Sequence, residues 1–474
     1  MNSNLTHCML KDIKKVIFAG RKVLSLKIIS KVMSNQLTRR KFFKTAAVGA
    51  AGVALFPQFL ASCTQNKKAA GDAGDGILRL GFIGLGQQSM YLLAGYLGME
   101  GVQVVAGSDV YGVKRERFLK RVNARYAETG QEVAVETYEN YKDLIAREDI
   151  DAVVIATPDH WHAFMAIDAC NAKKNIYLEK PLTFTIKEGQ MLAKAVRDNG
   201  VILGVGSQQR SDANFQHAVK MVQEGKIGKI ERVNAYVGAP PTPYDLPEEP
   251  LPADLNWPLW LGPSEFIHYN SQLNPPISLD PEQNEQFWGA WRWYKELGGG
   301  FTTDWGAHMF DIAQWGLGMD ESGPVEIIPA GYQDTKYLTY KYANGVVMTE
   351  EPFNERQTKG VKFWGDKGWI EISREHFLAS DESLLPPATE AAEGAYETKI
   401  PHLENFINAV KTKSDPVVPV EIGHRSCTVC TLGNIAYDLG RPIKWDPAAE
   451  KFVDDAEADG HRLFNKSYSE GYTL

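Results

Sequence analysis

Ile77-Leu-Arg-Leu-Gly-Phe-Ile-Gly-Leu-Gly-Gln-Gln-Ser89 is the stretch that decides the fold. Its first half is a short apolar run suited to a buried strand. It leads into Gly84-x-Gly86-x-x-Ser89, where two glycines permit a tight turn and the close approach of a pyrophosphate to a helix N-terminus. Gln87 and Gln88 follow directly and are placed with the glycines as nucleotide contacts. Ser89 stands where a third Gly or Ala is usual, and it is small enough to keep helix and strand packed together.

The chain continues in the same rhythm. Val102-Gln-Val-Val-Ala-Gly-Ser108 reads as a second strand ending at Asp109, at the spacing of an acid that holds a ribose hydroxyl pair. A carboxylate there repels a 2′-phosphate, which favours NAD; Lys114 and Arg115 close behind leave NADP as the less favoured alternative. Ile150–Ala156 is a third apolar strand, followed by Thr157, Pro158 and then Asp159-His-Trp-His162 at a helix start. Ligands bind at the carboxyl ends of parallel strands, so Thr157 to His162 should line the crevice. Asn175–Leu178 runs into Glu179-Lys180-Pro181, with Pro181 holding Lys180 extended and a cis bond between the two in view. A lysine at a strand end beside a nicotinamide could give or take a proton. Taken alone, Glu-Lys is more often a surface ion pair.

Gly298-Gly-Gly-Phe-Thr-Thr-Asp-Trp-Gly-Ala-His-Met-Phe-Asp311 concentrates the chemistry further on. A helix is expected from about Thr303, which sets Asp304 and His308 four residues apart on one face. A carboxylate beside an imidazole can fix the ring's tautomer for work as a general base. A solvated Asp–His pair is the plainer alternative from these residues alone.

Gly84-x-Gly86, Asp109, Ala156-Thr-Pro158, Glu179-Lys-Pro181, and Gly298-Gly-Gly300 with Asp304 and His308 together resemble the glucose–fructose oxidoreductase, inositol dehydrogenase and rhizopine-catabolism (Gfo/Idh/MocA) family over roughly residues 77–445. The resemblance implies an α/β fold: a Rossmann domain, then an α/β domain with a large open, mainly antiparallel sheet that often mediates homo-oligomer formation. It also implies that Lys180 and His308 handle the proton, that Asp304 supports His308, and that a carbohydrate or cyclitol is oxidised or reduced. A metal held by Asp304, His308 and Asp311 is not expected, since a nicotinamide does the redox work. Two alternatives stay open: NAD-dependent glycoside cleavage through transient oxidation at C3, and a non-catalytic binding protein that keeps the fold.

The expected domains are 77–207, nucleotide-binding; 208–445, substrate and oligomerisation; and a C-terminal tail, 446–474. Strands are expected over Lys229–Val237, Leu338–Tyr342, Val346–Thr349, Val361–Trp364 and Trp369–Ile372, and helices over Asn214–Glu224, Pro401–Val410 and Arg425–Leu439. The Pro-rich residues 239–294 are laden with aromatics, which suit the C–H faces of a sugar or simply bury a loop. Arg210, Trp291, Arg292 and Tyr294 are the candidate substrate contacts. Cys427-x-x-Cys430 lacks the second pair of a zinc site and is expected to pack in a helix.

Charge divides the chain unevenly. Residues 1–62 carry eleven Lys/Arg and one acid, leaving 40 basic against 58 acidic residues for the remainder. So acidic a body repels a phosphate backbone, and no nucleic-acid partner is expected. Thr38-Arg-Arg-Lys-Phe-Phe-Lys44 resembles a twin-arginine export signal, and Leu60-Ala-Ser-Cys63 resembles a lipobox with Cys63 lipidated. The apolar run between them is shorter than the roughly 20 residues of a spanning helix. Residues 1–76 are therefore expected to be leader and tether of a periplasmic lipoprotein, with Met33 a more ordinary start for such a signal and the lipid as the membrane contact.

Overall fold

The computed structural model describes residues 76–275, 277–280, 288–387 and 399–474. The twin-arginine motif, Cys63 and the tether up to residue 75 lie outside the described residues. Among the described residues no helix is long and apolar enough to cross a membrane.

Six short strands form the first sheet: β1 (Leu78–Ile83), β2 (Val102–Ser108), β3 (Glu136–Tyr138), β4 (Ala152–Ile155), β5 (Asn175–Leu178) and β6 (Leu203–Val205). Their order is β3-β2-β1-β4-β5-β6, and every pairing is parallel. Strand periodicity sorts the apolar residues between two layers. Ala152 and Val154 pack with Phe82, Val104 and Phe118 on one face, while Val153 and Ile155 pack with Ile176, Leu192 and Val420 on the other. A sheet buried on both faces explains the unbroken apolar runs in the sequence. The helix Ile186–Asn199 behind it begins at a capping box, with Glu188 N–H donating to Thr185 Oγ1 (3.2 Å) and Thr185 N–H to Glu188 Oε2 (2.9 Å).

The second sheet has nine strands. They are β7 (Ile230–Tyr236), β8 (Glu326–Ile328), β9 (Thr339–Lys341), β10 (Val347–Thr349), β11 (Gly360–Gly365), β12 (Gly368–Ser373), β13 (Phe377–Ala379), β14 (Ile443–Asp446) and β15 (Lys451–Phe452). The order is β13-β12-β11-β7-β10-β9-β8-β14-β15; only β7 and β10 pair parallel. Val233, Ala235, Val361 and Phe363 face a core shared with the helices Ala213–Gln223, Gly306–Gly316 and Val420–Leu439. Alternate residues turn to the opposite face, where Lys362 reaches Glu371 at 3.1 Å and Trp364 Nε1–H donates to Asn234 Oδ1 at 2.6 Å. The helix Val420–Leu439 also packs on Ile186–Asn199 and β6, tying the two sheets into one body. Cys427 and Cys430 are buried free thiols on it.

The short strands β3, β8, β13, β14 and β15 were not foreseen from sequence; each is four residues or fewer, too short for a period to show. Residues 446–474 pack into both halves. Phe452, Leu463 and Phe464 join the core beneath the nine-stranded sheet, and Tyr468 and Tyr472 pack against the first sheet's layer. The segment expected to turn helical near Thr303 starts at Gly300 as a short helix, Gly300–Asp304, and restarts as Gly306–Gly316. Gly300 has φ +67°, and a Cβ there would lie 2.4 Å from the Pro241 nitrogen, so glycine alone fits the junction.

Candidate active site

The carboxyl ends of β1, β2, β4 and β5 open onto a cavity of about 600 Å³ that continues to the second sheet. At one end lie Gly84, Gly86, Gln87, Gln88 and Asp109, and at the other Lys180, Arg292, Asp304, His308 and Arg374. The change of strand order between β1 and β4 makes this crevice, as in other doubly wound sheets.

The nucleotide end fits a dinucleotide. Gly84 turns the chain at φ +80°, and a Cβ there would press on the Ala156 carbonyl at 2.9 Å. Nothing lies within 4 Å of a Cβ built on Gly86, so this glycine leaves its space to the cavity. The helix Gln87–Tyr96 starts there, and among the described residues no side chain caps its first turn. Its backbone amides and positive dipole end thus face a phosphate-sized space. Asp109 is aimed by two backbone amides, Leu85 N–H onto Oδ2 at 2.8 Å and Tyr111 N–H onto Oδ1 at 2.9 Å, with lone pairs left for hydroxyls. The neighbouring cations are engaged by protein groups. Arg115 donates to the Asp109 carbonyl at 2.6 Å, and Lys114 Nζ to Asn274 Oδ1 at 2.5 Å. Glu179 is buried at the cavity wall and accepts from Gln88 and Gln208, both at 2.8 Å. Thr157 and Pro158 line the middle.

The chemical end is built around an ion pair. Lys180, past β5 and joined to Pro181 by a cis bond, donates to Asp304 Oδ1 at 2.7 Å and to its carbonyl at 2.9 Å. Arg292 Nε stands 3.5 Å from the same Oδ1. Burial by itself would push the Asp304 carboxyl up, but Lys180 and Arg292, with Arg374 beyond, hold it below the usual range. Asp304 thus serves Lys180, where the expectation was support for His308. The His308 ring lies on the next helix, buried, edge-on to Trp305 and against the same cavity. The Arg292 guanidinium carbon lies over the Trp291 ring (4.2 Å to its centre) and near that of Trp288 (5.0 Å).

Three expected site residues do not face the cavity. Arg210 is 2% exposed and locked between Asp311 and Asp320, with four contacts of 2.7–2.9 Å; these engage four of its five N–H donors, and the residue is not among those that line the cavity. Tyr294 is buried in an aromatic cluster against Tyr244. His162 is fully buried, its ring nitrogens 2.7 Å from the Pro181 carbonyl and 3.0 Å from the Thr157 carbonyl. Burial pushes it down to about 4, so the ring is neutral and its one N–H donates to one of these two carbonyls, bracing the cavity wall from behind. Conversely, Arg374, Trp288, Trp305, Gln208 and Lys114 line the cavity without having been singled out as site residues. Arg374 lies just past β12, 70 residues beyond Asp304, and only sheet pairing brings it there.

Comparison with known proteins agrees with this fold. Residues 78–207 match the family model "Oxidoreductase family, NAD-binding Rossmann fold", and residues 242–474 match its partner, "Oxidoreductase family, C-terminal alpha/beta domain". The chain belongs to the Gfo/Idh/MocA family. The first of the two models describes an NAD-binding domain, and both describe an oxidoreductase family. It is 35% identical over 214 residues to a "Glycosyl hydrolase family 109 protein" of Shewanella pealeana, covering 41% of this chain and 44% of the relative. It is 26% identical over 328 residues to the "Uncharacterized oxidoreductase YrbE" of Bacillus subtilis, covering 64% and 81%. The chain thus spans under half the length of the first of these relatives. The same fold is seen in levoglucosan dehydrogenase in complex with NADH and levoglucosan (TM-score 0.52, 20% identity, 77% of this chain and 99% of that one). It is seen again in the aldose-aldose oxidoreductase of Caulobacter crescentus (TM-score 0.52, 19% identity, 78% and 99%).

Proposed function

We propose that this oxidoreductase moves hydride to or from a secondary alcohol carbon of a sugar, glycoside or cyclitol, with NAD held throughout and recycled in place. The observation that carries the reading is the single cavity that begins at Gly84 and Gly86 and ends at Lys180, Asp304 and His308. Bound there, the nicotinamide supplies a hydride acceptor and donor. Lys180 or His308 takes the hydroxyl proton, because loss of hydride from a neutral alcohol leaves a poor cation. Asp304 holds Lys180 Nζ at the cavity wall, and Trp288, Trp291 and Trp305 offer flat faces to sugar C–H groups.

Retention of the nucleotide is supported by the aromatic insertion. Its cluster of Leu255, Trp257, Trp260, Tyr269 and Trp291 packs on Val110 and Tyr111, just past Asp109. Backbone bonds stitch it down, Gly112 N–H to the Asp254 carbonyl at 2.9 Å and Asn256 N–H to the Val110 carbonyl at 3.0 Å. A cofactor beneath such a strap leaves slowly. The leader motifs point to an exported, lipid-anchored enzyme, and outside the cytoplasm a captive cofactor must be regenerated where it sits. A homo-oligomer, formed through the open face of the nine-stranded sheet, belongs to the same reading.

A second reading, NAD-dependent glycoside cleavage by transient oxidation at C3 and elimination, is supported by the 35% identity to the Shewanella pealeana relative. Denaturing the purified protein and measuring released nucleotide tests the common core: about one NAD(H) per chain is expected, and none, with none taken up on titration, refutes both. Aryl glycosides then separate them, since free sugar released without net NADH belongs to cleavage alone.

A further inference from the structure

The chemical end of the cavity holds two guanidinium groups, Arg292 and Arg374, and a guanidinium keeps its charge at any pH the protein meets. Asp304 is the carboxylate that Arg292 meets, and it is shared. Lys180 Nζ holds its Oδ1 at 2.7 Å, while Arg292 Nε stands off at 3.5 Å. Asp159 also lines the cavity, but among the described residues it makes no ion pair with Arg292. Lys359 adds a cation on the same side, its Nζ 4.2 Å from the Phe301 ring centre and 5.5 Å from that of Trp305.

Arg292 is fixed in place but not used up. Its side chain is 15% exposed, with Trp291 and Trp288 crowding the guanidinium carbon. Nη1 donates to the Gly289 carbonyl at 3.2 Å and Nε faces Asp304. Nη2 makes no hydrogen bond among the described residues, which leaves its two N–H donors uncommitted at the cavity wall. A charged donor that deep is costly unless something completes it. Arg374 is held by Gln209, whose Oε1 accepts from Nε at 3.1 Å and from Nη2 at 3.0 Å. Its guanidinium carbon lies 4.7 Å from the ring centre of Trp305, the residue after Asp304. One arginine is thus fixed on Asp304 and the other on its neighbour in the chain.

Resting on the hydride-transfer reading above, we propose that the substrate is an acidic sugar, a uronic acid or its glycoside, whose carboxylate is bound by Arg292 Nη2 while Arg374 supplies a second positive charge at the same end. The hydroxyls of a neutral sugar could accept from Nη2, but they would leave the guanidinium charges unanswered. A carboxylate answers both needs, because its bond to a guanidinium is charge-assisted and about twice as strong as a neutral one. The tryptophans beside Arg292 take the sugar's C–H faces, so one wall reads ring and acid together.

The test titrates the nucleotide-loaded enzyme near neutrality with matched methyl hexosides of the gluco and galacto series. At C6 they carry a carboxylate, an uncharged carboxamide or a phosphate ester. Tryptophan fluorescence reads binding, and the dinucleotide absorbance reads reduction. The acid of at least one series is expected to bind roughly 10- to 100-fold more tightly than its amide, the range of a charged hydrogen bond, and to reduce the bound nucleotide. Arg292→Gln should bring that ratio close to one. Arg292→Lys, which keeps the charge and loses the fork, should keep part of it. Equal binding of acid and amide by the wild type overturns the proposal whether or not the variants fold. A preference that survives in Arg292→Gln overturns it too, as does tighter binding of the phosphate ester. Failure of the underlying reading looks different: the acid then binds with its preference but leaves the nucleotide oxidised, and it falls as a substrate together with that reading.

Discussion

Arg210→Met separates a structural guanidinium from a substrate-binding one. In the native structure Arg210 Nε and Nη2 donate to the two oxygens of Asp311 at 2.9 Å each, and Nη1 and Nη2 to those of Asp320 at 2.9 and 2.7 Å. Trp315 lies 5.1 Å from the guanidinium carbon. Asp311 is 1% exposed and also accepts from Ser426 Oγ at 2.6 Å; Asp320 is 27% exposed. Methionine fills much of the volume and removes the charge. Loss of the Asp320 contact matters little, about 0–1 kcal/mol, because water can take over. Asp311 decides the magnitude, because a buried carboxylate stripped of its partner costs about 3–5 kcal/mol. That is roughly a 10²- to 10⁴-fold fall in the folding equilibrium constant. Urea titration followed by tryptophan fluorescence reads it as a lower midpoint. The double variant Arg210→Met/Asp311→Asn should recover part of the loss, since the orphaned charge is then gone. A single variant with an unchanged midpoint and a raised KM for sugar would refute the reasoning and return Arg210 to the substrate site.

His308→Ala should lower turnover by roughly 10²–10⁴ while nucleotide content per chain stays unchanged; equal turnover removes His308 from proton transfer. Gly86→Val projects two methyl groups into the space the glycine leaves open, so nucleotide content should fall to near zero with the thermal unfolding profile preserved; retained NAD contradicts the cradle. Acid should destabilise the fold between about pH 6.5 and 4. Burial pushes His160 down to about 3, and His162 and His402 to about 4, so in that window the unfolded chain binds protons that the folded chain refuses. Asp159, raised to about 7, works in the opposite sense, because the folded state there holds a proton that the unfolded chain has lost. The net uptake on unfolding is about two protons, or roughly 2.5–3 kcal/mol of lost stability per pH unit near pH 5. Urea midpoints that stay level from pH 6.5 to 4.5 would contradict this.

The central strands of the first sheet were legible because they are buried on both faces, and such strands must be apolar throughout. The turn at Gly84 was legible for a different reason: its backbone angle and the nearness of the Ala156 carbonyl leave little choice but glycine. Lys180, Asp304 and His308 could be named from short motifs, since each sits within two residues of a Pro or Gly that shapes the backbone locally. Their partners could not. Asp304 and His308 are one helical turn apart in sequence, which suggested that they pair, yet the helix breaks at Trp305 and the carboxylate meets Lys180, 124 residues away.

Charge alone could not tell Arg210 from Arg292. Both are arginines near aromatic residues, and only the packed structure gives one of them two carboxylates in the core and leaves the other at the cavity wall. The short strands and Arg374 belong to the same class, because sheet pairing places them and no local period announces it. Sequence by itself determined where the backbone must turn and which faces must be buried, since those follow from φ, ψ and hydrophobic period. Tertiary structure decided which charges meet, because an ion pair is specified by two distant positions and by the water that packing excludes from between them.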